Sequence, residues 1–141
     1  MKLATFTTSQ EAEQAFYSAL QNSDLEAMMA VWAEDEDIYC VHPSGPRLNG
    51  IDQIRKSWRQ LFSGGATLRF RLLHQHCLRG TLLAVHSVYE HITVVGSAQQ
   101  PGAVIATNIY QNTEHGWRMI VHHASPVAGN EPPEAAPSML H

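Results

Sequence analysis

An α+β fold is what this sequence predicts: a curved, cone-shaped antiparallel sheet packed against three N-terminal helices. Apolar residues recur at a period near 3.6 up to about residue 62 and at a period of 2 from about residue 67 onward. The connectors "RG", "VVGSAQQPG" and "NTEHG" between the later apolar runs all carry glycine, as antiparallel hairpin loops require. Helices first and a meander after them is an α+β order. A chain of 141 residues forms one domain and buries a sizeable core.

The elements follow in order. Thr8 and Glu11 have capping-box spacing, and Ala12, Ala15, Phe16, Ala19 and Leu20 follow at helical intervals, which predicts a helix over about 10–21. Ser23 with Glu26 suggests a second capping box, opening a short helix whose apolar side is Leu25, Met28, Met29 and Trp32. The acidic run Glu34 to Asp37 suits a solvated loop better than a helix C-terminus, which prefers cations. Ile38 to His42 reads as a short strand closed by Pro43, and "PSGPRLNG" as a loop. Ile51, Ile54, Trp58, Leu61 and Phe62 mark a third amphipathic helix, stopped by "SGG". Four long strands complete the chain, over roughly 67–78, 82–92, 103–111 and 117–123. The domain is expected over 1–126, with a proline-rich tail over 127–141.

Composition narrows the function classes. Hydrophobic residues at 44%, charged residues at 16% and a net charge of -4 describe a globule with no basic face for nucleic acid. No signal-peptide core and no membrane-length apolar run is present, so the expected location is cytoplasmic and the expected partners exclude a membrane. Cys40 and Cys77 are too few and too irregularly placed for a disulfide framework or a CxxC metal site.

The helix-helix-strand-loop-helix-sheet order, with the runs "SALQNSDLEAMMAVWAEDEDIY", "HPSGPRLNGIDQIRKSW" and "GWRMIVHHASP", resembles the nuclear transport factor 2-like superfamily, including ketosteroid isomerases and SnoaL-like proteins, over about residues 8–126. The resemblance implies a pocket between the concave sheet face and the helices, and a homodimer formed through the convex face. In ketosteroid isomerases the general base precedes the loop proline, a position held here by His42. Phe16 stands at the place of the oxyanion-hole tyrosine, with Tyr17 one residue off and expected to face elsewhere; Asn108 stands at the place of the oxyanion-hole acid. All three positions depart from the isomerase set, so the resemblance carries over the pocket and not steroid isomerisation.

The candidate catalytic set is therefore His42, Asn108 and His123. An imidazole at a pocket mouth can exchange a proton near neutral pH. Asn108 offers an amide to developing charge. His123 shares period-2 alternation with Met119 and Val121, a face that the resemblance implies is the concave one. Phe16, Trp32, Cys40, Trp58, Tyr89 and Val121 are the expected ligand-binding residues, and a small apolar or aromatic molecule the expected ligand. No cofactor is expected. His74 and His76 share a strand face, but no carboxylate or cysteine stands at ligand spacing, so no metal is assigned. Alternation from Leu82 to Tyr89 leaves both sheet faces substantially apolar, which also favours a homodimer. The expected function is a SnoaL-like small-molecule pocket, with acid–base isomerase, cyclase or dehydratase chemistry open to it. The alternative is a non-catalytic binding or association domain, in which Phe16, Met28, Trp32 and Trp58 fill the cavity.

Overall fold

A computed structural model describes residues 5–128; the proline-rich tail lies, from residue 129 on, outside them. Helix α1 (Ser9–Asn22) starts at Thr8, whose side chain accepts from the Glu11 backbone N–H at 3.1 Å, while Glu11 reaches back to the Thr7 N–H at 2.8 Å. Ser23 is the left-handed C-cap of α1 (φ 50°) and not the start of the next helix. Asp24 caps α2 (Leu25–Val31), accepting from Ala27 N–H at 3.0 Å. The acidic loop leads to β1 (Tyr39–Val41), β2 (Arg47–Asn49) and α3 (Gly50–Phe62). The long strands are β3 (Leu68–Arg79), β4 (Leu83–Val94), β5 (Val104–Thr113) and β6 (Gly116–Pro126).

The α+β architecture is as expected, three helices on one curved open sheet, with two additions. The loop after Pro43 contains β2, which pairs antiparallel with β1, and β1 pairs parallel with β6. The sheet is therefore mixed, with six strands in the order β2-β1-β6-β5-β4-β3. The core lies between the helices and the concave face; Ala12, Phe16, Met28, Trp32, Ile54, Trp58, Val88 and Tyr110 are at most 1% exposed. The segment before α1 also straps the β5–β6 turn. Trp117 N–H donates to the Phe6 carbonyl at 2.9 Å, and Gly116 (φ 92°) passes so close that a Cβ would stand 2.8 Å from that oxygen.

Register decides which side chains share a face. Cys40 on β1 partners His122 on β6, His122 partners Asn108 on β5, Asn108 partners His86 on β4, and His86 partners Cys77 on β3. One cross-strand row thus runs over five strands and points toward the helices. Its neighbours in the next row, Val41, His123, Thr107 and Ser87, point outward. Between Ile109↔Val121 and Tyr110↔Met119 the β6 strand carries one extra residue, Ile120. That bulge sets Met119 and Val121 on opposite faces, although they are two residues apart.

Candidate functional site

A cavity on the concave side has a volume of about 550 Å³. Apolar walls come from Leu20 of α1, Trp58 and Leu61 of α3, Leu68 and Phe70 of β3, and Ile92 of β4. Three titratable groups open into it: His42, Glu90 and His122. Among the described residues, lysine, arginine and aspartate are absent from the lining.

His42 sits just past β1, where Pro43 ends the strand. Its Nε2 lies 3.1 Å from Ser57 Oγ, whose own hydroxyl donates to the Ile54 carbonyl at 2.9 Å. Ser57 can therefore only accept from His42, which places the proton on Nε2 and leaves Nδ1 as the acceptor. The ring stands edge-on to Trp58 at 4.7 Å, and burial pulls its pKa below the ordinary histidine value. Cys40 Sγ is 4.0 Å from His42 Nε2, but burial pushes that thiol up to about 12, so it stays protonated and inert at neutral pH.

His122 is 3% exposed, with its ring 4.8 Å from Phe16 and 6.2 Å from Trp58. Burial, with smaller contributions from His42 and His123, pulls its pKa down to about 3. It is a neutral imidazole across the physiological range. Its Nδ1 lies 2.6 Å from Asn108 Oδ1, which can only accept, so Nδ1 carries the hydrogen. Glu90 is equally buried, and loss of solvation raises its pKa to about 7, against the opposing hydrogen bond that Tyr17 donates to its Oε2 at 2.6 Å.

Each expected site residue has a definite place. His42 and Trp58 line the cavity; Phe16 and Cys40 are buried directly against cavity-lining histidines. Asn108 is fully buried behind His122 and does not open into the cavity. His123 and Val121 lie on the opposite face, in a groove with Tyr39, Ile105, Thr107 and Ile109. The Ile120 bulge is the reason: it turns His122, not His123, toward the helices. Tyr89 also faces outward, edge-on to His74 at 5.8 Å. Trp32 packs deep in the core against β6 and lines a separate depression with Glu34, Asp35 and Arg118. Tyr17, expected to face elsewhere, turns into the site and joins Glu90 to Asn108. Among the described residues no group of three His, Cys, Asp or Glu side chains is placed to hold a metal ion. Among the same residues no helix is long and apolar enough to cross a membrane.

Comparison with known proteins agrees with this fold. The structure is similar to that of a Thiobacillus denitrificans protein proposed to be a calcium/calmodulin-dependent protein kinase type II association domain. The two share 36% identity with a TM-score of 0.78 over 88% of this chain and 98% of the other. It is also similar to a proposed dehydratase of the nuclear transport factor 2-like family from Streptomyces avermitilis, at 28% identity and a TM-score of 0.79 over 86% of this chain and 94% of that one. Among curated proteins, F-box protein SKIP8 of Arabidopsis thaliana is 25% identical over 113 residues, 78% of this chain; the match spans 46% of that protein, about half its length. The SnoaL-like domain family matches residues 10–129, and with the fold and cavity above the chain belongs to that family, within the nuclear transport factor 2-like superfamily.

Proposed function

We propose that the protein binds a small uncharged molecule in the concave cavity and moves protons on it, in the manner of an isomerase, cyclase or dehydratase. The observation that carries this reading is the convergence of His42, His122 and Glu90 on one apolar cavity of about 550 Å³. With no lysine or arginine among the described residues of the lining, a carboxylate or phosphate ligand would be desolvated there without a fixed cationic partner.

The pKa shifts divide the roles. A general base works best with a pKa near the working pH. His122, held near 3, is a poor base but a permanent hydrogen-bond acceptor. His42, shifted by partial burial alone, is the better base. Glu90, titrating at about 7, still carries a proton to give in neutral solution. In a dehydration, His42 would take the proton from the carbon beside a carbonyl as the C=C bond forms. The hydroxyl on the next carbon would leave as water with the Glu90 proton, and proton exchange with solvent would restore both groups. The dehydratase proposal for the Streptomyces relative lends support to this class.

The test uses 2-tetralone, a neutral ketone of suitable size, in D2O. Exchange of its α-protons, followed by NMR, is expected to exceed the buffer rate and to fall about 100-fold or more in His42→Phe. Binding of 2-tetralone with no accelerated exchange would leave a ligand-binding domain and sink the catalytic reading.

A homodimer is the second proposal, favoured by the outward face of the sheet. Val85, Tyr89, Ile105 and Ile109 are only half-buried there, around a groove of about 320 Å³. Similarity to a proposed association domain supports the same idea. Sedimentation is expected to give a dimer mass, and Ile109→Asp a monomer. A wild-type monomer at every concentration tested would refute it.

A further inference from the structure

Behind the cavity wall, His122 and Glu90 are the two ends of one buried hydrogen-bond chain, and such a chain can run in either direction. In the direction seen, His122 Nδ1–H donates to Asn108 Oδ1 at 2.6 Å, Asn108 Nδ2–H to Tyr17 OH at 3.0 Å, and Tyr17 O–H to Glu90 Oε2 at 2.6 Å. His122 Nε2 is then an acceptor, and a proton on Glu90 sits on Oε1. In the reverse direction Glu90 would donate to Tyr17, Tyr17 to Asn108 Oδ1, and Asn108 Nδ2 to His122 Nδ1. His122 would then present Nε2–H, and Glu90 a bare oxygen. While Glu90 is protonated, as it is below its pKa of about 7, each member can both donate and accept, so both directions satisfy every link there.

We propose that Glu13 fixes the direction of this chain, and so decides that His122 offers an acceptor and Glu90 a donor to the cavity occupant. Glu13 is a side branch and does not line the cavity. Its Oε2 lies 3.2 Å from Asn108 Nδ2 and 3.2 Å from Tyr110 OH, and its Oε1 lies 3.1 Å from His86 Nδ1. Glu13 Oε2 thus accepts from both the Asn108 amide and the Tyr110 hydroxyl. Reversal would turn the Asn108 amide over and set Oδ1 against Glu13 Oε2, oxygen against oxygen. Glu13 is 5% exposed, so water does not screen that repulsion. His86 is held in turn by Ser9 Oγ at its Nε2, 2.9 Å away; its Nδ1, though 3.1 Å from Glu13 Oε1, is not aligned for a hydrogen bond. Glu13 is thus a positioning residue: it acts on the cavity through Asn108 and touches nothing in it.

The use made of this polarity rests on the proton-transfer reading above, but the polarity itself belongs to the ligand-free protein and is measured there. Long-range 1H–15N correlation spectra report which nitrogen of His122 bears hydrogen. The wild type is expected to show a pyrrole-type shift at Nδ1 and a pyridine-type shift at Nε2. Glu13→Leu should move the hydrogen toward Nε2, exchanging the two shifts. Tyr17→Phe, which cuts the chain but spares Glu13, should leave His122 as Nδ1–H. A wild-type Nε2–H tautomer, a Glu13→Leu protein that keeps Nδ1–H, or a Tyr17→Phe protein that switches would each overturn the proposal. Should Glu13→Leu not fold, the wild-type and Tyr17→Phe spectra still decide. Inactivity toward 2-tetralone with His122 held as Nδ1–H would defeat the catalytic reading and leave this one standing.

Discussion

Glu90→Gln is expected to stabilise the protein at pH 8 by on the order of 3 kcal/mol and to change little at pH 4. Folding raises the Glu90 pKa from 4.5 to about 7 because burial strips solvent from the carboxylate. Below 4.5 the group is protonated in both folded and unfolded chains, so its full contribution is present there. Between 4.5 and 7 the unfolded chain releases the proton first, and stability falls as pH rises. Glutamine has the same shape, can still accept from Tyr17 and never ionises. His122 has the opposite slope. Its folded pKa of about 3 lies below the ordinary 6.5, so its contribution is complete above 6.5 and is lost as pH falls toward 3. In the wild type the two slopes oppose each other between 4.5 and 6.5, and a flat region is expected. Glu90→Gln should uncover the His122 slope there. Urea unfolding across this range checks both statements, and a wild-type-like pH profile in the variant would show that Glu90 ionises normally in the fold. The same variant should keep 2-tetralone exchange, which uses only the base, and lose dehydration of a β-hydroxy ketone, since the acid is gone. Greater stability with less activity is what a buried group retained for chemistry produces.

The fold was largely legible because its signals are local and repeated. The shift from period 3.6 to 2 separates helices from sheet, and glycine marks each hairpin. Less was legible where a long-range partner decides. The three residues of β2 read as loop, since what makes them a strand is pairing with β1. The parallel β1–β6 contact joins segments some eighty residues apart, and nothing in either segment announces it. Ser23 carries capping-box spacing, but α1 ends on it, and Asp24 takes the cap instead. At the site, His42 was accessible through its place before Pro43. The choice between His122 and His123 was not: alternation from Met119 selects His123, and one extra residue at Ile120 reverses it. Ile120 carries no glycine or proline to warn of a bulge. Glu13 and Glu90 stand in no motif, and Tyr17, one residue off the tyrosine position, reads as facing elsewhere, because the meaning of all three lies in burial and in one another.

Trp58→Ala is expected to cost about 3 kcal/mol of stability, at the low end for deletion of a core aromatic. Trp58 is 1% exposed and packs between Phe16 at 5.7 Å, His42 at 4.7 Å, Phe62 at 5.8 Å and His122 at 6.2 Å. Its loss removes an apolar wall shared by α3 and both cavity histidines. Two features hold the cost down. The indole Nε1 is buried with no hydrogen-bond partner among the described residues, so truncation also removes an unsatisfied donor worth about 1–3 kcal/mol. The side chain also borders a cavity, and contacts on that side are already missing. Trp58→Phe separates these effects. It keeps most of the packing and discards the orphaned N–H, so it should cost under about 1.5 kcal/mol. Denaturant midpoints of the two variants give the comparison. Equal losses would mean that the indole nitrogen does have a partner and that Trp58 is held by more than packing. A small loss from Phe and a large one from Ala identify the residue as the structural wall against which a ligand is pressed toward His42. In that case the alanine variant, if it still folds, should also bind 2-tetralone more weakly than either the wild type or the phenylalanine variant.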